Sequence, residues 1–463
     1  MTFLLLPETL FVAIGVVASD HFYYGTLVSW FVYRIIYLAQ YSNRSRFNVR
    51  ESFTPGNIFQ FIWYLLCVIL PIYISVFSPS FAPLKMLPSS FSINKSIVLT
   101  AVSYLSASIG ISFYSSLRNK RILKSLKSIN EFDENDLRKY LITTLTFGTI
   151  GVILLGLNSH ISSGISIAYS TYLAGSSSWS KFLSIILPPF IIYSVVVLSA
   201  LRIHQNRYKF FSNFLLLIFA TLPMTLFRLN RAAIFLPVFC YLAIFLQIKS
   251  KAKYFLTWLL ISLIGGLAVF SVAEYRAQQI VTKGGQISAA SIGYQHNQSV
   301  LNSIQNYLNA PQYLGYALQE IPPNSISVIS PLKSIAAPLP KLSKFNSDRN
   351  DGTSIYNLSI SNSRSFDQVL SPIIESWLSL GLLGLFITFF MQGIVISIIK
   401  KRYAESHDFI KKYFLLYSAI WVSLFPCVSY VVLSQITFFV LLPPLILFRF
   451  LSTGKIAKVS STN

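Results

Sequence analysis

The chain has 463 residues, of which 54% are hydrophobic and 11% are charged, and its mean hydropathy is +0.60. These values exclude an ordinary water-soluble protein, and apolar runs of about 17 to 25 residues, long enough to cross a membrane as helices, recur along the chain. The net charge of +22 does not indicate nucleic-acid binding, because most of the cations flank the apolar runs. We therefore expect an all-α polytopic membrane protein.

About twelve apolar segments are predicted to span the membrane as helices. The predicted spans are residues 3–18, 22–40, 56–77, 96–116, 140–157, 181–201, 211–227, 232–248, 255–272, 373–398, 413–431 and 434–451. The first follows Met1 directly, without a basic region before it or a small-residue cleavage site after it, so we expect it to be retained and not removed as a signal peptide. Cys67, Cys240 and Cys427 each lie inside an apolar run, which favours small buried side chains over disulfides or metal ligands.

The cations collect in alternate connections between the predicted spans. The basic groups are Arg44, Arg46 and Arg50; Arg118, Lys120, Arg121, Lys124 and Lys127; Arg202, Arg207 and Lys209; Lys249, Lys251 and Lys253; and Lys400, Lys401, Arg402, Lys411 and Lys412. Cytoplasmic connections of membrane proteins carry an excess of Lys and Arg, so these groups are predicted to face the cytoplasm. Counting spans from them places both termini in the cytoplasm and the long segment between the ninth and tenth spans outside.

This arrangement predicts three regions. Residues 1–272 carry the first nine spans, residues 273–372 form a large external loop, and residues 373–463 carry the last three spans and a short cytoplasmic tail. A structureless loop of this length is uncommon unless it binds something. We therefore expect the functional site at the external face.

Within the loop, apolar residues at helical spacing predict two short amphipathic helices on the membrane surface, one around residues 300–308 and one after Pro311. The proline-rich and polar stretch that follows, residues 322–354, is predicted to be irregular. At the end of the loop, Ser371 is predicted to cap the tenth span with Pro372 at the first helical position. The amide donors of that helix are then expected to point outward, towards anions.

Arg228 and Arg231 interrupt two apolar spans in the seventh-to-eighth connection. If this turn is helical, both side chains lie on one face with Cβ atoms about 5–6 Å apart, a spacing that suits a diphosphate. Arginine also makes bidentate contacts with phosphate oxygens. The alternative is that both residues anchor a helix end at the lipid headgroups.

Six further residues could complete an external site. They are Glu274 and Arg276, where the ninth span ends; His296, the only histidine of the loop; Arg364 and Asp367, before the tenth span; and Glu375, in its first turn. The histidine or one of the carboxylates could act as a general base. The charged pairs could equally form local ion pairs at the interface, and a carboxylate in a first helical turn is stabilised by the helix dipole without any catalytic task.

Several motifs are absent from the sequence. It contains no P-loop, no paired glycine-rich nucleotide fingerprint, no HExxH motif and no Cys/His metal set. The sequence therefore supports neither an ATP-driven pump nor a zinc hydrolase, and we expect no cofactor or metal. Chemistry on this chain would need a substrate that is already activated and already in the membrane.

The chain resembles the O-antigen and polysaccharide repeat-unit polymerases, the Wzy family, which have a membrane glycosyltransferase fold of the GT-C type. The resemblance lies in the number of spans, the late external loop, the segment FRLNRAAIF with its two arginines, and the segment SPIIESWLSLGLLGLF. Glu375, Trp377, Gly381 and Gly384 match the family's pattern of a glutamate, an aromatic residue and a Gly-x-x-Gly turn. These motifs cover roughly residues 220–390.

The resemblance implies a polymerase that joins undecaprenyl-diphosphate-linked repeat units into O-antigen, capsule or exopolysaccharide at the outer face of the bacterial cytoplasmic membrane. On that basis, Arg228, Arg231, Arg276 and Arg364 are hypothesised to bind the diphosphate leaving group in place of a metal ion. His296, Glu274, Asp367 or Glu375 would accept the proton of the attacking sugar hydroxyl.

Two other functions stay open at this point. An O-antigen ligase would use the same donor with a different acceptor, and a lipid-linked oligosaccharide flippase or another transporter would also have about twelve spans. The expected partners are undecaprenyl-diphosphate-linked glycans and membrane lipids, with a chain-length regulator and a flippase as candidate protein partners. No nucleic acid is expected.

Overall fold

The structure is a computed structural model that describes residues 23–41, 53–77, 88–119, 134–161, 183–184, 186–207, 209–228, 232–248, 308, 311–321, 326–336, 352–361, 370–406 and 408–453. Its helices are α1 (Tyr24–Tyr41), α2 (the consecutive stretches Pro55–Tyr64, Leu65–Ile69 and Leu70–Phe77), α3 (Ser90–Asn119), α4 (Glu134–Ile161), α5 (Pro189–His204), α6 (Phe210–Arg228), α7 (Ala232–Ile248), α8 (Pro311–Glu320), α9 (Ser330–Ala336), α10 (Gly352–Ser361), α11 (Pro372–Glu405), α12 (Phe409–Leu424, continued by a short turn at Phe425–Cys427) and α13 (the stretches Tyr430–Ile436, Thr437–Leu441 and Leu442–Thr453). These ranges contain no strand, so the described part of the chain is all-helical.

Helices overlap ten of the twelve predicted spans, and the other two, residues 3–18 and 255–272, lie outside the described residues. Within the described ranges, five helices are long and apolar enough to cross a membrane: Pro55–Val76, Ser90–Ser116, Glu134–Leu157, Pro372–Glu405 and Tyr430–Phe448. Shorter apolar helices lie at Pro189–His204, Phe211–Pro223 and Leu236–Phe245. These long apolar helices indicate a multi-pass membrane protein. Cys67, Cys240 and Cys427 are buried, as predicted.

The chain forms two compact units, each assembled from separate stretches of sequence. Unit 1 contains Met1–Lys124, Gly284–Lys401 and Ala419–Ser434, and unit 2 contains Ser125–Lys283, Arg402–Ser418 and Gln435–Asn463. Among the described elements, unit 1 therefore holds α1 to α3 and α8 to α10, together with most of α11. Unit 2 holds α4 to α7.

In unit 1, the helix ends show that α1 and α3 begin at the same end. The amide of Gly25 donates to the Asn94 side-chain oxygen at 2.8 Å, so the first turns of α1 and α3 lie together. The hydroxyls of Thr26 and Ser75 are hydrogen-bonded at 2.8 Å, which brings the last turn of α2 to the same place. Helix α8 packs at this end, where the amide of Ser89 donates to the Gln319 side chain at 2.9 Å, and α10 contacts both α8 and α9. This end is called the loop end below.

The opposite end of unit 1 carries cations. The side chain of Lys400, near the end of α11, lies against Gly56 in the first turn of α2. Arg118 lies in the last turn of α3, and the 30 residues of that helix place this turn about 45 Å from its start. This second end, the basic end, carries two of the basic groups that the sequence predicts to face the cytoplasm.

Aromatic packing and close backbone contacts hold the helices of unit 1 together. The ring of Trp63 in α2 packs against Tyr104 of α3 and Phe389 of α11, with centroids 5.3 and 5.8 Å away. Gly110 of α3 lies so close to the carbonyl of Phe390 that a Cβ atom would overlap with it. Within a membrane the hydrophobic effect does not drive helices together, so close packing at small residues contributes much of the attraction between them.

Helix α8 exists as predicted and protein covers most of it, whereas its place at the membrane surface stays a prediction. Its first seven residues, Pro311 to Ala317, are buried. The Ser96 hydroxyl of α3 donates to the Pro311 carbonyl at 2.8 Å, and Gly315 lies against the backbone of Ile93. An apolar stripe on a helix does not tell whether protein or lipid covers it. The neighbouring prediction at residues 300–308 falls almost entirely outside the described residues.

In unit 2, α4 packs on α5 through two glycines. Cβ atoms at Gly148 and Gly151 would overlap with the backbone at Ile191 and Leu187. Two buried tyrosines of this unit donate hydrogen bonds to backbone carbonyls of α13. The Tyr140 hydroxyl donates to Phe448 at 2.5 Å, and the Tyr193 hydroxyl donates to Val440 at 2.7 Å.

Candidate functional site

Helix α11 is broken near its start, at Gly381. This residue has φ 62° and ψ −143°, a conformation that essentially only glycine adopts. The hydroxyls of Ser376 and Thr388 are 3.0 Å apart, whereas twelve residues of straight helix would separate them by about 18 Å. The first arm of α11, residues 372–380, therefore folds back along the second arm, residues 382–405.

Hydroxyl groups and glycines fasten this hairpin. The Tyr430 hydroxyl of α13 lies 2.8 Å from the Ser376 hydroxyl and 2.9 Å from the Thr388 hydroxyl, so three side chains form one hydrogen-bonded triangle. Gly384 lies against the carbonyl of Ser376, where a Cβ atom would overlap with the oxygen. The second arm alone has 24 residues and a length of about 36 Å, enough to cross a membrane.

The direction of the first arm corrects the prediction for the tenth span. Ile373 lines a small, mostly apolar cavity together with Thr100 of α3, whereas Trp377 lies under the Lys95 ammonium at 5.0 Å. The arm therefore runs from inside unit 1 towards the loop end. Residues 373–398 are not one uninterrupted helix, and the amide donors of the first turn point away from the loop end.

The predicted cap at Ser371 is confirmed, although the helix it caps begins inside the protein. The amide of Ile373 donates to the Ser371 hydroxyl at 3.2 Å, and this hydroxyl donates to the carbonyl of Pro426 at 2.6 Å. Pro372 occupies the first helical position, where its missing amide hydrogen costs nothing. The end of the long loop is thus fixed to the α12–α13 connection.

Glu375 lies in the first turn of this arm and is completely buried. Its Oε1 atom accepts hydrogen bonds from the hydroxyls of Ser330 and Ser334 in α9, both at 2.8 Å. Gly352, the first residue of α10, lies beside the same carboxyl group, and a Cβ atom there would come within 2.7 Å of the Glu375 Cδ atom. One carboxyl group is therefore the point where α9, α10 and the first arm meet.

The surroundings of Glu375 suit a buried carboxylate. A buried charge is costly without hydrogen bonds, and two hydroxyl donors converge on one of its oxygens. The positive end of the helix dipole adds to this stabilisation, because Glu375 is in the first turn.

The prediction that residues 322–354 are irregular is wrong for α9 and for the start of α10. Pro331 is compatible with α9 because it lies in the first turn, and the buried hydroxyls of Ser330 and Ser334 find an acceptor in Glu375. The Ser434 hydroxyl of α13 also donates to the carbonyl of Ile335 at 2.5 Å. Tertiary contacts therefore stabilise a helix too short to form alone.

Most of the other residues predicted for the site lie outside the described residues. Arg228 is the last residue of α6, and α7 begins at Ala232. The residues outside the described ranges are Arg231, Glu274, Arg276, His296, Arg364 and Asp367. Glu375 is thus the predicted site residue whose side-chain contacts the structure gives, and the hypothesis of a shared arginine face stays a prediction.

Sequence reasoning missed the partners of Glu375. The Ser-Pro pair at 330–331 repeats the Ser-Pro pair at 371–372 that predicted the tenth helix start, so this signal could have located α9. The sequence did not indicate that Lys95 and Tyr430 would contact the first arm of α11, because each is a single polar residue within or beside an apolar run.

The chain was compared with protein-family models, with curated proteins and with solved structures, and none of them matches it.

Proposed function

We propose that this protein is a polymerase of lipid-linked oligosaccharide repeat units, a metal-independent glycosyltransferase of the polytopic membrane class. The observation that supports it best is the buried Glu375 in a re-entrant hairpin, under helices of the long loop. The segment that resembles the polymerase family, residues 371–386, contains this hairpin with its capping serine, its glutamate and the glycine at its turn.

In the proposed reaction, a hydroxyl oxygen of the acceptor sugar forms a bond to the anomeric carbon of the donor glycan. The bond from that carbon to the undecaprenyl diphosphate breaks, and the diphosphate leaves with the electron pair. Arg228, Arg231, Arg276 and Arg364 are assigned to the charge on the diphosphate, and the acceptor proton passes to a general base. These arginine assignments rest on the sequence.

Glu375 is one of four candidates for the base, with His296, Glu274 and Asp367. Two serine hydroxyls donate to its Oε1 atom and the residue is completely buried, so a substrate hydroxyl could reach the carboxylate only after the surrounding helices move. The geometry favours a positioning task, in which Glu375 holds α9 and α10 against the hairpin. The other three residues then stay as the candidates for the base.

The proposal also includes the place of the reaction. The loop end of unit 1 would face the outside of the bacterial cytoplasmic membrane, and the basic end would face the cytoplasm. Support comes from Arg118 and Lys400, which lie near the ends of their helices remote from α8, α9 and α10. About twelve spans of the GT-C type would then surround the lipid-linked substrates.

A reconstitution tests this function. Purified protein in liposomes receives one undecaprenyl-diphosphate-linked repeat unit in EDTA, without nucleotide, and the products are separated on a gel. A ladder of products is the expected result, since the donor is already activated and no metal is required. Failure to elongate an authentic substrate, by protein that is folded and inserted, would refute the proposal.

The break at Gly381 also supports a second candidate function, transport of lipid-linked oligosaccharides. Transporters often contain broken helices whose half-helix ends lie inside the membrane, and the first arm of α11 begins inside unit 1. The same liposomes separate the two functions. Movement of the labelled substrate to the opposite leaflet without elongation would favour the transporter.

A further inference from the structure

Helix α9 has its polar side inside and its apolar side outside. Ser330 and Ser334, four residues apart, are completely buried against the Glu375 carboxylate, whereas Leu332 is 67% exposed. Ile329, just before the helix, and Ile335 in its last turn are 51% and 38% exposed. At 100° per residue, the three apolar side chains centre on the face opposite to the two serines. A helix of a water-exposed loop has the reverse pattern.

This helix lies beside two candidate membrane spans and not beyond the ends of those helices. The carbonyl of Ile335 accepts a hydrogen bond from Ser434, four residues or about 6 Å into the candidate span that begins at Tyr430. The arm that carries Glu375 begins near Thr100, ten residues or about 15 Å from the start of α3. The exposed side of α9 therefore lies at a depth where the spans expose apolar residues too.

The apolar surface of α9 is like the surface of the neighbouring hairpin. Leu382 and Leu383 of the second arm are each 59% exposed, close to the value for Leu332. Lys333 is half-buried at the border of the two faces of α9, where a long side chain can extend its charge to the headgroups while its methylene groups cover apolar surface. The pattern fits an apolar environment with polar headgroups close by.

We infer that the face of α9 formed by Ile329, Leu332 and Ile335 lies against lipid acyl chains of the bilayer. The long loop is then anchored twice through one short helix, by its serines to Glu375 and by its apolar residues to the lipid. A second copy of the chain or a soluble partner could cover an apolar face as well. Lipid is favoured because the face lies at the depth of two candidate spans. This inference does not depend on the catalytic activity.

The test places a nitroxide spin label at Leu332→Cys in the full chain, in lipid nanodiscs. The three native cysteines are buried, and unmutated protein carried through the labelling shows whether they react. Collisions with oxygen, which partitions into lipid, are compared with collisions with a water-soluble nickel chelate. Leu383→Cys is the lipid-facing control, and Ala404→Cys, exposed beyond the lysines at the end of α11, is the water-facing control.

The expected oxygen-to-nickel ratio at position 332 is close to that at 383 and severalfold above that at 404. A ratio near that at 404 would place the face in water and overturn the inference. If the label at position 332 collided with neither reagent while the label at position 383 still collided with oxygen, protein would cover this face of α9. That result would also overturn the inference. A label at Ile329→Cys repeats the measurement if Leu332→Cys does not fold. No substrate is needed, so the result is separate from the outcome of the reconstitution.

Discussion

Removal of the Glu375 carboxylate is predicted to release α9 from the hairpin. Two hydrogen bonds from Ser330 and Ser334 end on this group, and bonds to a charged acceptor contribute about 1.5–3 kcal/mol each. In Glu375→Ala the freed hydroxyl of Ser334 can donate to a carbonyl one turn earlier in its own helix, as Ser103 does to Leu99, which recovers part of the loss. The expected net loss for the docked helix is about 2–4 kcal/mol.

Hydrogen exchange measures this loss directly. For a helix that opens locally, 2–4 kcal/mol corresponds to about 30- to 900-fold faster exchange of the amides of residues 332–336. Glu375→Gln keeps a carbonyl acceptor and removes the cost of burying a charge, so exchange should rise less than about fivefold. Glu405→Ala, an exposed glutamate at the other end of α11, is the matched control.

Exchange in Glu375→Ala within twofold of the unmutated protein would refute the positioning task. Turnover in Glu375→Gln separates the two tasks of the carboxylate. A loss of about 100-fold or more in turnover, with normal exchange, would show that Glu375 acts as the general base. Turnover near the unmutated level, together with normal exchange, would support positioning.

Other substitutions test the backbone of the hairpin and the arginine assignment. Gly381→Ala should cost about 1–3 kcal/mol of stability through φ alone, because a Cβ atom there would meet nothing within 4 Å. Gly393→Ala should lower the thermal midpoint through overlap with the carbonyl of Ala107; equal midpoints for both variants and the unmutated protein would contradict the described backbone. Arg231→Ala should reduce turnover by about 100- to 1,000-fold with normal insertion, and Arg231→Lys should recover little. Unchanged polymer length and amount at equal expression would refute the assignment.

Within the described ranges, the positions of helices followed from the long apolar runs of the sequence. Helices overlap ten of the predicted spans, although the one at residues 373–398 is broken at Gly381, and Ser371 caps a helix as predicted. These features depend on residues close together in the chain, such as a Ser-Pro pair or a run of apolar side chains. The burial of α8 within the protein could not be predicted from the sequence, because its apolar stripe could be covered by either protein or lipid.

The candidate site was only partly predictable. Glu375 was singled out from its place in a first helical turn, but its hydroxyl partners are 45 and 41 residues away in a stretch predicted to be irregular. The family resemblance places a Gly-x-x-Gly turn at Gly381 and Gly384, but hydropathy predicted one helix over residues 373–398. Helix α11 contains three glycines, and only Gly381 has a positive φ. Local sequence cannot distinguish a glycine that reverses the chain from one that permits a close contact.

The sequence by itself determined the class of molecule and the approximate places of its helices, because a membrane requires long apolar segments whose backbone groups are satisfied within each helix. It also placed Glu375 in a first helical turn, where the helix dipole stabilises a carboxylate. Only the tertiary structure decided that the arm carrying Glu375 turns back at Gly381 and that the polar side of α9 faces inward. The physical reason is that a buried carboxylate needs donors, and the donors come from a distant part of the chain that only folding brings to it.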